Sequence, residues 1–154
     1  MAASAFTVYN SFREYMGDNT IDMDGTTFDM HFIRTSGSAA VVNAALSTLG
    51  SIDAEEVSAT GGYTTSGRAL TTTWAAGDSA GEIRFDATDL VLTASGANIN
   101  NIRYAVIVAR TGASGADNAN LLVAQAALST AQFTLNSGST LTVQFNASGI
   151  FELA

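Results

Sequence analysis

The stretch Ile102–Arg110 is the most strongly patterned part of the chain. Apart from Arg103 and the terminal Arg110, every residue in it is apolar or aromatic, and three neighbours are β-branched. A short run of this composition is typical of a strand that is buried on both faces. We therefore predict that this stretch forms the central strand of a sheet, with other strands on both of its edges.

Shorter segments on either side of this run alternate between apolar and polar residues. In Thr26–Arg34, the side chains of Phe28, Met30 and Phe32 share one face, which predicts a half-buried strand. Further segments predicted as strands are Leu70–Trp74, Ile83–Phe85, Leu90–Leu92 and, at the edge of a sheet, Ile150–Leu153. Short strands spaced by turns in this way are typical of antiparallel sheets.

The last third of the chain adds two more predictions. Leu121–Leu128 fits either a strand or a short helix, and Phe133–Leu135 with Leu141–Phe145 are predicted to pair as a hairpin around residues 136–139. Together the pattern predicts a mainly β fold, an antiparallel β-sandwich or barrel-like domain with one or two short helices. The length of 154 residues fits a single β-rich domain spanning 1–154.

Two short helices are predicted. Ser11 and Glu14 have the spacing of a capping box, and Gly17 is placed to end that helix in the left-handed conformation. Ser38 is a candidate N-cap for a second helix over Ala39–Leu49. The small and apolar residues 1–8, before the first helix, form a candidate docking arm.

The charge balance excludes one class of partner. The chain has 14 acidic residues against 6 basic residues, all of them arginine, and a net charge of −8. Since cationic side chains supply most non-specific affinity for phosphate backbones, nucleic-acid binding is not expected. The remaining surface must be rich in Ser, Thr, Asn, Gly and Ala, which suits contact with other proteins. Acidity without lysine also fits simple solubility or a high-salt habitat.

Other sequence signals narrow the cellular setting. There is no cysteine, so neither disulfides nor thiolate chemistry is expected. No apolar run reaches the ~18–20 residues of a membrane span, and the first residues lack a signal-peptide pattern. We expect synthesis in the cytoplasm without an export signal and no contact with a membrane.

The titratable residues form no recognisable catalytic motif. His31 is the only histidine, which excludes a metal site built from several histidines, and its place opposite the apolar face of its strand predicts a surface or interface side chain. Asp22 and Asp24 are spaced as in the first half of a calcium loop, but the closing glutamate is missing. A plain turn is the alternative there, and no cofactor is expected.

Two other pairs carry weaker hypotheses. Asp86 and Asp89 could act as an acid/base pair, or they could be turn residues that bind their own backbone. Tyr63 and Trp74 could form a flat aromatic shelf for a sugar, or they could belong to the core or an interface. The residue types alone favour the structural alternative in both cases.

Nearly the whole chain resembles a family of small virion proteins of tailed bacteriophages, of the head (capsid) decoration type. The segments that carry the resemblance are Tyr9–Met16, Gly62–Tyr63 followed by Leu70 and Trp74, Phe85–Ala87 with Asp89, Arg103–Ile107 and Phe145–Ile150. The resemblance implies many copies per particle, attachment to the outer surface of a shell built from the major capsid protein, and no enzymatic activity. It further implies self-association, with a homotrimer as the expected state.

The capsid contacts are expected in the N-terminal arm and the first helix. The residues predicted to make them are Phe6, Tyr9, Phe12, Arg13 and Tyr15. Aromatic side chains and arginine are enriched among residues that dominate binding energy, and interface cores are poor in other charges. The alternative is that the aromatic residues pack on the protein's own sheet.

Two rival functions remain open at this point. One is a tail or head-fibre component that binds a host-surface carbohydrate or receptor. The other is a small hydrolase that uses Asp86 and Asp89.

Overall fold

The computed structural model describes residues 4–34, 41–77, 79–112 and 119–153, and these form one α-helix, two 3₁₀ helices and twelve strands. The helices are α1 (Asn10–Gly17) and the 3₁₀ helices Leu49–Ser51 and Asp53–Glu55. The strands are β1 (Thr7–Val8), β2 (Thr27–Ile33), β3 (Arg68–Ala69), β4 (Thr72–Ala76), β5 (Ile83–Ala87), β6 (Leu90–Thr93), β7 (Ile99–Ile102), β8 (Tyr104–Arg110), β9 (Leu121–Ala127), β10 (Phe133–Leu135), β11 (Thr140–Val143) and β12 (Phe151–Leu153). All of their pairings are antiparallel, so the predicted mainly β fold is confirmed.

The predicted central strand is confirmed as β8. It lies in the middle of a five-stranded sheet with the order β1-β9-β8-β2-β3. β2 pairs along its whole length, from Thr27 opposite Arg110 to Ile33 opposite Tyr104, and β9 pairs along the other edge. The strand begins at Tyr104, two residues later than predicted. Its long apolar run suits this place because both faces are covered.

Most of the remaining strands belong to one long antiparallel ribbon. Residues 83–110 form one arm (β5 to β8), and residues 121–153 form the other (β9 to β12). Successive pairs join β8 with β9, β7 with β10, β6 with β11 and β5 with β12. The ribbon bends where Ala94 meets residues 136–139, through backbone hydrogen bonds from Ala94 to Ser139 and from Gly138 to Ala94. The bend carries its outer half back over the five-stranded sheet.

The two layers pack through aromatic side chains. The ring centroid of Phe28 on β2 lies 4.9 Å from that of Phe85 on β5, and Phe85 also contacts Trp74 and Phe151. Phe28, Met30 and Phe32 are completely buried in this interface. The arrangement is a β-sandwich-like domain with one short helix, as the alternating pattern predicted.

The opposite face of β2 is buried as well, so the prediction of a half-buried strand is wrong. Asp29, His31 and Ile33 point to this side and are at most 3% exposed. Residues 41–57 cover it, with Val41, Leu49 and Ile52 packing on side chains of β8 and β9. We call the Phe28/Met30/Phe32 side the aromatic face of the sheet, and the Asp29/His31/Ile33 side the polar face.

The helix predicted over Ala39–Leu49 is wrong for residues 42–48, and residues 35–40, including Ser38, lie outside the described residues. Residues 42–48 form turns and a β-bridge between Thr48 and Leu121. A helix would use its carbonyls internally, but here three of them accept hydrogen bonds from other parts of the chain. These bonds come from Asn10 N–H to Ala44, from the Ser11 hydroxyl to Leu46 and from Leu122 N–H to Ser47. Tertiary contacts therefore override the helical pattern.

The predicted hairpin around residues 136–139 is also wrong. β10 pairs with β7 and β11 pairs with β6, so the two predicted arms do not pair with each other. Asn136 and Ser139 do form a tight turn through a backbone hydrogen bond, but this turn is the corner of the ribbon. Because an alternating segment can pair equally well with either neighbour, the local pattern does not specify its partner.

The first helix forms, but its ends differ from the prediction. Its N-cap residue is Tyr9, without a side-chain cap, and Ser11 is inside the helix. The capping box is therefore absent, because the Ser11 hydroxyl is used by Leu46. At the other end, the left-handed conformation occurs at Asn19 (φ 63°) and not at Gly17. Leu121–Leu128, for which strand and helix were open, forms β9 as a strand.

Candidate functional site

The five residues predicted to contact a capsid divide into two groups. Tyr9 and Phe12 are 1% and 0% exposed, so they pack on the protein's own core, as the alternative held. The Tyr9 hydroxyl donates to the carbonyl of Val41 at 2.8 Å, and the Phe12 ring lies edge-on to Phe151 at 5.4 Å. A partner cannot reach these two side chains in this conformation, and the capsid contact predicted for them stays a prediction. They instead fix α1 to the domain.

The other three residues present accessible atoms. Arg13 is exposed on α1, Tyr15 is half-buried on the same helix, and Phe6 is half-buried before β1. The described part of the candidate docking arm, residues 4–8, pairs with β9 through Thr7 and Val8 and through a Ser4 to Ala127 backbone bond. Residues 4–17 therefore form an ordered element with an exposed side, and a capsid contact by Phe6, Arg13 and Tyr15 stays a prediction.

A groove of about 860 Å³ opens where the 121–153 arm of the ribbon folds back on itself. Its floor contains the buried side chains of Leu128, Val143 and Ile150. Half-buried rings of Phe6 and Phe145, with centroids 5.6 Å apart, form part of its wall. We call this feature the ribbon groove. Its other lining residues are Ser4, Ala5, Ala126, Phe133, Leu141, Thr142, Gln144, Asn146, Ser148, Gly149, Phe151 and Glu152.

One rim of the ribbon groove is an excursion of the chain between β11 and β12. The carboxylate of Asp89 accepts the backbone N–H of Phe145 at 3.1 Å, which holds the start of the excursion. Asn146 closes a turn by accepting the N–H of Ser148 on its side chain and that of Gly149 on its carbonyl. Arg84 donates to the carbonyl of Ala147 at 3.1 Å. The rim is thus positioned from several sides.

The second feature is a buried polar network on the polar face. The Glu56 carboxylate accepts hydrogen bonds from His31 Nδ1 at 2.8 Å and from the Tyr63 hydroxyl. The same hydroxyl accepts the backbone N–H of Phe32 at 3.1 Å. Burial raises the pKa of Tyr63 well above its usual range, and the negative charge of Glu56 raises it further. The network joins β2, the segment after the second 3₁₀ helix and the loop at residues 60–67.

A charged pair extends the polar face toward the start of β2, where β8 ends. Arg110 donates through Nε and Nη2 to the two carboxylate oxygens of Asp29, at 2.6 and 2.5 Å. The Asp29 side chain is 4% exposed, whereas that of Arg110 is 31% exposed. Bidentate geometry of this kind is favourable, and it compensates the burial of the carboxylate.

The structure places Asp86 and Asp89 beside one shallow cavity and gives the other candidate residues local structural roles. Asp22 accepts the backbone N–H of Asp24, which makes the plain turn, and no group of three or more acidic, histidine or cysteine side chains in the described residues could hold a metal ion. Asp86 and Asp89 both line a shallow cavity of about 520 Å³, but each carboxylate binds backbone: Asp86 accepts the N–H of Ala87, and Asp89 accepts the N–H of Phe145 at the groove rim. Tyr63 is buried and Trp74 lies in the aromatic contacts of β5, so they do not form a shelf together.

His31 was wrongly predicted to lie at the surface, and the network around Glu56 was missed. The only local signal for it is a histidine and an aspartate alternating with large apolar side chains in one strand. That signal fits an exposed face equally well, because the partners Glu56 and Tyr63 lie 25 and 32 residues from His31 in the sequence. Nothing local indicates that residues 41–57 will cover this face.

No family model, curated protein or solved structure matches this chain. The helices in the described part of the chain lack the length and apolar character that a membrane span requires. The resemblance to phage head proteins therefore remains an expectation.

Proposed function

We propose that the protein is a non-enzymatic capsid decoration protein that binds the outer surface of a phage head and stabilises the shell. The observation that carries the proposal is the ordered N-terminal element, residues 4–17. Its core side is fixed by Tyr9 and Phe12, and Arg13 and part of Tyr15 are left accessible. Presenting an arginine and an aromatic side chain on a fixed helix lowers the entropy that is lost on binding.

The charge distribution supports an external position. A net charge of −8 repels packaged nucleic acid, whereas a surface poor in charged residues suits contact with a protein shell. The major capsid protein is the proposed partner, and a homotrimer is the proposed assembly. Binding across shell subunits would hold neighbouring subunits together against internal pressure.

Cryo-electron reconstruction of the virion that carries this chain tests the location. Regular copies over the outer shell are expected. Copies confined to the tail or to sparse head fibres would replace the proposal with a component that binds a host carbohydrate or receptor. Density in neither place would overturn both.

A binding assay tests the contact itself. Heads that lack the protein are mixed with purified protein, and the bound copies are counted after sedimentation. Replacing both Arg13 and Tyr15 by alanine should lower the bound fraction at least tenfold. Asn10→Ala, at an exposed position on the same helix, is the matched control and should bind normally. Equal binding by the double variant would remove α1 from the interface.

A further inference from the structure

We propose that the ribbon groove is a binding site for a neutral oligosaccharide. The inference does not depend on whether the protein occupies a head or a tail, and it concerns residues outside α1. It follows from the size, lining chemistry and built rim of the groove.

The size and lining of the groove are those of a ligand site. A volume of about 860 Å³ lies within the range of roughly 300–1,000 Å³ that is usual for such sites. The floor is apolar, and the wall contains aromatic rings that are neither fully buried nor fully exposed. The partly negative face of a phenyl ring attracts the partly positive C–H groups on one side of a sugar ring. Phe6 and Phe145 supply such rings.

The polar lining selects a neutral ligand that is rich in hydroxyl groups. Thr142 and Ser148 carry hydroxyls, which can both donate and accept hydrogen bonds. Besides its bond with Ser148 N–H, the Asn146 amide keeps its NH₂ donors, and besides its bond to Asp89, the Gln144 amide keeps its oxygen as an acceptor. Among the lining residues, all of which are described, Glu152 alone is ionisable. With no cation in the lining and a net charge of −8 on the chain, phosphorylated, sulfated and acidic sugars are disfavoured.

Hydrogen bonds hold the rim of the groove in a fixed conformation. Between β11 and β12 the ribbon departs from regular pairing, yet Asp89, Asn146 and Arg84 hold the excursion through the hydrogen bonds described above. Gly149 adopts a φ of 82° there, and a Cβ on it would lie 2.7 Å from the carbonyl oxygen of Phe85. A fixed rim reduces the entropy lost when a ligand binds.

The proposed contacts are tested with uncharged oligosaccharides. Hexasaccharides of β-1,4-linked glucose, α-1,4-linked glucose and α-1,6-linked mannose are titrated into the full chain, and backbone amide chemical shifts are followed by NMR. At least one of them should shift the amides of residues 141–152, while those of residues 27–33 should not move. Saturable shifts confined to another surface, or none with any of the three, would overturn the proposal.

Variants separate ring contacts from general stability. Phe145→Leu keeps an apolar side chain but removes the ring, and it should weaken binding at least tenfold. Asn100→Ala removes an exposed amide outside the groove and should leave affinity unchanged. Unfolding temperatures of both variants are measured first. Normal binding by a folded Phe145→Leu variant would contradict the ring contact.

A comparison of neutral and sulfated ligands tests the proposed selectivity for neutral sugars. Sulfated forms of the bound hexasaccharide should bind at least tenfold more weakly. Equal affinity for both forms, or tighter binding of an extended apolar peptide to the same amides, would overturn the assignment of a neutral sugar.

Discussion

The two faces of the five-stranded sheet are buried by different means. On the aromatic face, Phe28, Met30 and Phe32 pack against a second layer of the same chemical character, and non-directional contact is sufficient. On the polar face, Asp29 and His31 are equally buried, but each needs a partner at hydrogen-bond distance. The aromatic face can pack against different apolar side chains, whereas each buried polar side chain on the polar face requires one particular hydrogen-bond partner.

The difference between the faces also concerns specificity. An apolar face can pack on any apolar layer of suitable shape, so it contributes stability without strongly fixing the arrangement. A buried carboxylate with two donors, such as Glu56, is satisfied in one arrangement only. We infer that the polar face fixes where residues 41–67 lie, while the aromatic face supplies more of the free energy of folding.

The largest expected effect is on the aromatic face. Phe85→Ala removes the ring that touches Phe28, Trp74 and Phe151, and it should lower the free energy of unfolding by about 3–5 kcal/mol. Urea denaturation followed by circular dichroism measures the loss. Val42→Ala, at a valine that is 50% exposed, is the control and should change little. A loss below about 1 kcal/mol would contradict the central place of Phe85.

A smaller loss is expected from Glu56→Gln on the polar face. Glutamine keeps the size of the side chain but accepts the bonds from His31 and Tyr63 less strongly, so we expect a loss of about 1–3 kcal/mol. Glu14→Gln on the exposed side of α1 is the matched control. A double-mutant cycle with His31→Gln should give a coupling of about 0.5–3 kcal/mol. Strict additivity would show that the pair does not act as a unit.

Alkaline pH provides a third test of the polar face. Burial raises the pKa of Tyr9 and of Tyr63, so each phenol keeps its proton in the folded state, while the unfolded state loses it near pH 10. Their stabilising contribution is complete below about pH 10 and is lost as the pH rises above it. At about pH 11 the free energy of unfolding should fall by about 1.4 kcal/mol for each tyrosine.

The composition of the chain makes the alkaline measurement simple to interpret. There is no lysine and no cysteine to titrate in the same range. Urea midpoints are measured between pH 9 and 11, and Tyr63→Phe is expected to remove about half of the decrease. A pH-independent midpoint would contradict the burial of both hydroxyls.

The smallest expected effect tests how firmly the His31 side chain is held in place. Gly67 has a φ of +72°, and a Cβ on it would lie 2.6 Å from His31 Nε2. Gly96 has a similar φ of +76°, but a Cβ there would meet nothing within 4 Å. Both alanine variants carry the cost of left-handed backbone, about 1–2 kcal/mol, so only their difference reports the contact with His31.

We expect Gly67→Ala to be the less stable of the two by about 1 kcal/mol. Thermal unfolding of the two variants side by side measures the difference. Equal losses would mean that the imidazole moves aside without cost, which would conflict with its fixed place against Glu56.

Much of the fold could be predicted from local pattern. The central strand β8, the class of the fold and the edge strand β12 all follow from apolar runs and alternation, because these depend on the residues of the segment itself. Of the residues predicted for the candidate site, Phe6, Arg13 and Tyr15 do present accessible atoms. Tyr9 and Phe12 do not. Their sequence pattern does not show whether an aromatic side chain packs on the protein's own core or faces a partner.

The sequence by itself determined that segments such as β2, β8 and β12 are strands and which side of β2 carries the large apolar side chains, since a period of two residues is a local property. It left β9 open between strand and helix. Only the tertiary structure decided which strands pair, as in the ribbon that separates β10 from β11. It also decided what covers the polar face and which rings border the groove. These outcomes depend on satisfying backbone groups and buried charges with partners that are distant in sequence, such as Glu56 for His31 and Asp89 for Phe145.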